Sequence, residues 1–333
     1  MGGVKMGGAR AAEGPTRYTL RDLIGSVAGS RPLLRCLSCK ATVVFVAGYT
    51  HAQGTPSERP IDPCFRLGPG AAHASGCRFT ASGAIEHLVA QSRAVEDAED
   101  LFAKVACGFE FRLGPVRDAF KDSAKVVTEE YATALGERAP LRAVPRTGTQ
   151  RLSHYLKAAA GVARLRAIVE EESAAELQQN LTIRFNGGEI EWNDFYFSTA
   201  RLHLLFNRLI RLREGSSDPT RPAWLDHPVA IEFCYREEEP RNQERRPQRR
   251  LRGFSAPHPG RAADGESSNF RPVVLPKLEL KGQWPEEVSM RPGATYVALV
   301  QPWAVENRPW RVLNGNLYRA SQLAPLLGED GHE

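Results

Sequence analysis

No stretch of this chain approaches the ~18–20 consecutive apolar residues that a bilayer-spanning helix needs. The opening, M-G-G-V-K-M-G-G-A-R-A-A-E-G-P, lacks the apolar core of a secretory signal. Cysteine is scarce: six in 333 residues, four of them between Cys36 and Cys77, which excludes the dispersed disulfide framework of secreted domains. A reducing, cytoplasmic setting with no membrane partner is the expectation. Lysine is scarce too, at eight of the 44 basic residues. The remainder is arginine, whose planar fork suits phosphate, although a net charge of +5 does not by itself define a binding surface. Enzyme signatures are missing as well. There is no G-x-x-x-x-G-K-[ST], no G-x-G-x-x-G after a strand, no G-x-S-x-G and no H-E-x-x-H.

What is present is concentrated in one place. Residues 35–48 read R-C-L-S-C-K-A-T-V-V-F-V-A-G, and 63–77 read P-C-F-R-L-G-P-G-A-A-H-A-S-G-C. A Cys-x-x-Cys turn aims two sulfurs at one point, and a histidine and cysteine four apart can complete a tetrahedral set. Cys36, Cys39, His73 and Cys77 are therefore the expected ligands of a structural zinc knuckle. Cys64 is an alternative fourth ligand to His73. A redox C-x-x-C normally opens a helix after a strand; here it precedes the β-branched run 43–46, which argues against that chemistry.

The order of C-x-x-C, apolar strand, loop, Cys64-Phe65, then His73 and Cys77 resembles the N-terminal zinc-finger-like module of CoiA-type bacterial competence proteins over residues 30–80. Cys64-Phe65 stands where that family carries His-Phe. The resemblance implies a bacterial protein with a zinc-knuckle module ahead of a nuclease-like domain. The nuclease motif of that family is not found in order downstream.

Along the chain, residues 1–16 read as a disordered tail and 17–82 as the knuckle module. Residues 83–146 read as a helical linker region, and 147–330 as an α+β domain. From Ala84, the residues Ile85, Leu88, Val89, Val95, Leu101, Phe102 and Val105 recur at helical steps. A second helix is expected over Val116–Leu135, stopped by Gly136, and a third from Thr149 to about Gln178. His87 beside the first stripe reads as a surface histidine. L-T-I-R-F-N-G-G-E-I-E-W predicts a hairpin turning at Asn186-Gly187, and a helix capped at Asp194 is expected to follow. The aromatics Trp192, Phe195, Tyr196 and Phe197 read as core rather than as a base-stacking platform.

Asp226-His227-Pro228 reads as a turn leading into a strand from Val229 to about Arg236. Residues 237–269 are polar and arginine-rich with almost no apolar residues, and predict a disordered insert. Strand structure is then expected to resume in R-P-V-V-L-P-K-L-E-L-K-G (271–282) and over Thr295–Gln301, with two short strands either side of an Asn314-Gly315 turn. A short helix over Leu323–Leu327 closes the reading. The fold class is α+β: a zinc-knuckle β module, a helical middle and a mixed C-terminal domain split by the insert.

Three functions fit these residues. The leading expectation is a non-catalytic, zinc-stabilised accessory protein that binds DNA or RNA, with Arg245, Arg246, Arg249 and Arg250 on the phosphates. The alternative is a metal-dependent nuclease, in which Glu279 and Lys281 of an E-x-K strand join Glu232 or Asp226. The third is a protein–protein adaptor that docks through 237–269.

Overall fold

The computed structural model of the protein describes residues 6, 8–47, 49–51, 59–61, 63–93, 102–105, 108–122, 147–168, 174–218, 223–239, 249–254, 274–281, 290–307 and 310–326. The fold is α+β, with an antiparallel N-terminal sheet, a helical layer and a large mixed C-terminal sheet.

The N-terminal part holds β1 (Gly8–Ala11), β2 (Arg17–Thr19), the single-turn α1 (Leu20–Leu23), β3 (Leu34–Arg35), β4 (Thr42–Val46), β5 (Tyr49–His51), β6 (Arg59–Ile61) and β7 (Cys64–Leu67). Five of these strands form one sheet in the order β2-β1-β3-β4-β7, antiparallel throughout. Side chains alternate across a strand, so one face gathers Ala9, Leu34, Val43, Phe45 and Phe65. With Met6, Leu23, Cys36 and Cys77 they make a small core of their own.

Next come α2 (Ala81–Arg93), β8 (Phe102–Val105), β9 (Gly108–Arg112), α3 (113–122), α4 (Thr147–Ile168), α5 (Ala174–Asn180), β10 (Leu181–Phe185) and β11 (Gly188–Ile190). The strands pair as β11-β10-β9-β8, with β9 and β10 parallel across the helical crossover. The small residues of α4, from Ala158 to Ala163, let α2 approach closely. A Cβ on Gly161 would lie 2.8 Å from a Leu88 methyl.

The C-terminal part comprises α6 (Trp192–Phe195), β12 (Tyr196–Phe197), α7 (Leu202–Glu214), β13 (Val229–Glu239), β14 (Arg249–Phe254), β15 (Val274–Leu280), β16 (Thr295–Val300), β17 (Trp303–Asn307), β18 (Trp310–Leu317) and β19 (Leu323–Pro325). The main path runs β17-β18-β15-β14-β13-β16-β19, and β12 joins the first half of β13 in parallel. The pair β13–β16 is buried on both faces. Ala230, Val297 and Leu299 face α4 and the middle sheet. Val229, Ile231, Phe233, Ala298 and Val300 face Leu202, Leu205, Phe206 and Leu209 of α7.

Several sequence expectations change here. Ala9, fully buried, and its neighbours form a central strand inside the stretch read as tail; alanine and glycine carry little periodic signal but fit between close strands. The helical stripe expected through Val105 does not hold to its end: Phe102–Val105 is a strand pairing Gly108–Phe111, and residues 94–101 lie outside the described residues. The stretch read as a helical linker thus contributes two strands, and it shares a core with the C-terminal part. Tyr196-Phe197 is a strand, sending Tyr196 to one core and Phe197 to the other, so the helix expected from Asp194 starts at Leu202. In the expected insert, β13 runs on to Glu239 and β14 returns from Arg249. In register Glu237 pairs with Arg252 beside buried Leu251. This opposed charge pair supports a ladder that hydrophobic periodicity does not reveal. Residues 240–248 and 255–273 lie outside the described residues, as does the expected helix beyond 122.

Asn314-Gly315 is not a turn but the middle of β18. Gly315 serves close packing instead, since a Cβ there would sit 3.1 Å from Leu278 and 3.3 Å from Val300. The final segment is a strand on β16 rather than a helix. The hairpin at Asn186-Gly187 does form, with both residues at positive φ.

Gln322, fully buried, ties the end of β18 to β16. Its Oε1 accepts from the Tyr318 and Arg319 N–H at 2.6 and 3.1 Å, and its Nε2 donates to the Leu299 carbonyl at 2.8 Å. Gln322→Leu strands these backbone groups in an apolar surround and is expected to cost about 3 kcal/mol in denaturant unfolding. A cost under about 0.5 kcal/mol would show that the closure does not depend on this side chain.

Candidate metal centre

Cys36 to Ala41 is the turn of the β3–β4 hairpin, closed by the Cys36 N–H donating to the Ala41 carbonyl at 2.9 Å. Within it the N–H groups of Ser38 and Cys39 point at the Cys36 sulfur at 3.3 and 3.5 Å. The remaining donors come from the loop between β7 and α2. Glycines at positive φ, Gly70 and Gly76, bend that loop on either side of His73. The ligating atoms of Cys36, Cys39, His73 and Cys77 all lie within 4.8 Å of one another. Cys36 and Cys77 sulfurs are 3.7 Å apart, far beyond a disulfide bond. His73 turns Nδ1 to the cluster, 3.3 Å from the Cys39 sulfur and 3.5 Å from that of Cys77. Its ring packs near Phe79, and its Nε2 is buried without a hydrogen-bond partner.

The electrostatics favour a cation at the centre. Burial pushes the Cys36 thiol up to about 12, against the two amides that donate to it, and the Cys77 sulfur adds to the rise. Cys39 is also opposed by burial, yet His73 and the backbone N–H groups of Ala41 and Ala74 bring it down to about 6. Three sulfurs this close cannot all ionise without a compensating charge. A bound metal ion would supply that charge and displace the protons. The chemistry of the donor set, three soft sulfurs and an imidazole in tetrahedral reach, fits such an ion.

Cys64 is not part of the cluster. It pairs with Val46 at the far end of the β4–β7 ladder, four residues or about 13 Å along β4 from Thr42. Of the two candidates for the fourth position, the structure brings in His73.

Downstream of the centre the chain passes straight into α2. Thr80 caps that helix: its Oγ1 accepts from the Gly83 N–H at 3.0 Å and donates to the Cys77 carbonyl at 2.8 Å. Gly83 is forced by the ligand loop, because a Cβ there would lie 2.1 Å from the Cys77 carbonyl oxygen.

The other residues singled out in the sequence do not converge. Glu279 and Lys281 share the outer face of β15, where Glu279 binds Lys281 Nζ at 2.6 Å and the Arg250 guanidinium at 2.7 Å. Burial acts to raise the Glu279 carboxyl, but Lys281 and Arg250 together outweigh it and hold the group below its usual range. By register Glu279 aligns with Arg250 and Glu239, and Glu239 is seven residues along β13 from Glu232. Glu232 is instead taken up by the Tyr196 hydroxyl and the Thr199 N–H, a buried pairing that sequence reading missed. Burial, and then Glu232, raise the Tyr196 phenol well above its usual value, while Arg166 opposes the rise. Asp226 is 3.8 Å from His227, whose buried ring packs on Phe185 and holds the Pro228 carbonyl at 3.0 Å; this is a strand-leading turn. His87 is on the exposed side of α2. Arg249 and Arg250 are in β14, while Arg245 and Arg246 lie outside the described residues.

In the middle of a helix, Gly→Ala ordinarily stabilises by up to about 1 kcal/mol. Gly83→Ala is expected to do the opposite, lowering stability by about 1–3 kcal/mol and speeding metal loss to a chelator, because the Cys77 carbonyl has to move. Unchanged metal retention would separate α2 from the centre. Acidification is expected to release the metal, since protons compete with it for the ligating sulfurs. Release followed with a chromogenic chelator should rise as pH falls, not as it climbs from 7 to 9. The chain matches no protein-family model and no curated protein.

Proposed function

We propose that this protein is a zinc-stabilised, non-catalytic accessory protein that binds nucleic acid, with the zinc in a purely structural role. The observation that carries the zinc assignment is the spacing of the donors. Tetrahedral bonds of about 2.3 Å to sulfur and about 2.0–2.1 Å to nitrogen require S···S edges near ~3.8 Å and S···N edges near ~3.6 Å. The cluster has 3.7 Å for Cys36–Cys77, and 3.3 and 3.5 Å from His73 to Cys39 and Cys77. Four protein ligands fill a tetrahedron, leaving no position for water or substrate, which is the mark of a structural rather than a catalytic site.

Nucleic acid is the partner best matched to a basic chain whose positive charge is overwhelmingly arginine. The N-terminal resemblance to CoiA-type competence proteins agrees with that assignment. The nuclease alternative loses support from the separation of Glu232 and Glu279.

Two measurements test the reading. Elemental analysis of protein purified without added metal is expected to give one zinc per chain, and Cys36→Ser to lose it together with the fold of the N-terminal sheet. Anisotropy with labelled DNA and RNA is expected to show binding at ~50 mM salt that weakens steeply by ~200 mM. A metal-free wild type with an intact N-terminal sheet contradicts the zinc role. Absence of binding at ~50 mM salt contradicts the nucleic-acid role and leaves an adaptor.

A further inference from the structure

The outer face of the N-terminal sheet carries charge that folding alone does not call for. Ala9, Leu34, Val43 and Phe65 point into the core, so alternation places Arg10, Arg17, Arg35 and Arg66 on the opposite side. The register sets Arg10 directly across from Arg17 on one neighbour and from Arg35 on the other. The three form a row across β2, β1 and β3, at about 5 Å per step. Thr42 continues the row on β4, and Arg66, opposite Val44, stands one strand farther on.

Like charges placed directly opposite destabilise a sheet. Among the described residues none of these four arginine side chains has a hydrogen bond, ion pair or ring contact, although Glu13 lies in the β1–β2 connection. The nearest acid on α1, Asp22, is occupied by the Thr19 amide and hydroxyl at 2.6 and 2.9 Å. Elsewhere the sheets neutralise arginine: Arg112 and Arg184 share Glu110, and Arg250 binds Glu279. The contrast marks this face as waiting for an external anion.

We infer that this face binds the phosphate backbone of nucleic acid, an inference that rests on the nucleic-acid reading above and gives it a location. The charges lie in a line across strands and not around a pocket, which suits a repeating anion better than a small one. Guanidinium forks pair phosphate oxygens in two-point contacts. On the same face the Leu37 side chain packs over Gly8, while Thr42 and Gly68 add little bulk. Contacts of this kind set position without reading bases, so binding is sequence-independent. These four arginines are other residues than Arg245, Arg246, Arg249 and Arg250, to which the sequence pointed.

The test uses the full-length zinc-loaded chain and three labelled probes: a single-stranded DNA of about 20 nucleotides, the RNA of the same sequence, and the DNA duplex. A variant carrying Arg10→Gln, Arg17→Gln, Arg35→Gln and Arg66→Gln is compared with wild type between ~50 and ~200 mM salt. Four lost contacts at about 0.7–0.9 each make the log–log salt slope shallower by about 3, and affinity at ~50 mM falls about 100-fold or more. The melting temperature stays level or rises, because the cross-strand repulsion is gone. The matching fourfold Arg→Lys variant keeps the slope. The probes tell DNA from RNA as the preferred source of the phosphates. If wild type binds and the glutamine variant keeps its affinity and slope, the inference fails while nucleic-acid binding stands. Loss confined to an Arg245→Gln, Arg246→Gln control has the same meaning. A lysine variant that loses binding as completely as the glutamine one also overturns it. Wild type that binds none of the probes overturns both.

Discussion

Three sulfurs and one imidazole nitrogen converge at the end of the N-terminal sheet, and the rest of that module depends on their being held together. Its apolar core is small: Met6, Ala9, Leu23, Leu34, Val43, Phe45 and Phe65 supply nearly all of it. Modules of this size bury too little surface to fold securely on apolar contacts alone, and a structural metal is a usual remedy. The centre joins residues 41 positions apart, Cys36 and Cys77, which is the long-loop case in which a cross-link removes most freedom from the unfolded chain. Without a cation, the Cys36 thiol stays protonated beside a depressed Cys39, and the four donors have no common partner.

The same centre orders what lies on either side of it. Upstream, β3 runs directly into Cys36, so the ligand turn also fixes Arg35 and, through β1, the register of Arg10 and Arg17. Downstream, the Cys77 carbonyl sits against Gly83 and Thr80, which starts α2 at a defined point. Helix α2 then packs on α4, and α4 on the β13–β16 wall. On the proposed function, the metal holds a charged surface in shape while taking no chemical part in what the surface binds.

The centre was legible because metal chemistry constrains residue type and spacing together: C-x-x-C followed by a histidine and a cysteine leaves few readings. The choice between His73 and Cys64 was not, since both are good ligands and only the β4–β7 register carries Cys64 to the far end. The Asn186-Gly187 hairpin was legible because both residues accept positive φ. Asn314-Gly315 gave the same signal falsely: there glycine answers a steric demand from Leu278 and Val300 that no local pattern records. Strand β1 escaped notice because Gly-Ala-Arg-Ala is almost silent in hydrophobicity. The arginine row escaped for a related reason, as Arg10, Arg17 and Arg35 become neighbours only through pairing.

X-ray absorption at the zinc edge on the purified full-length protein tests the central claim most directly. A first shell of three sulfurs at about 2.3 Å and one nitrogen at about 2.0–2.1 Å is expected, unchanged in Cys64→Ser and lost in Cys77→Ser. A shell of four sulfurs that changes with Cys64, or one dominated by oxygen, would contradict it.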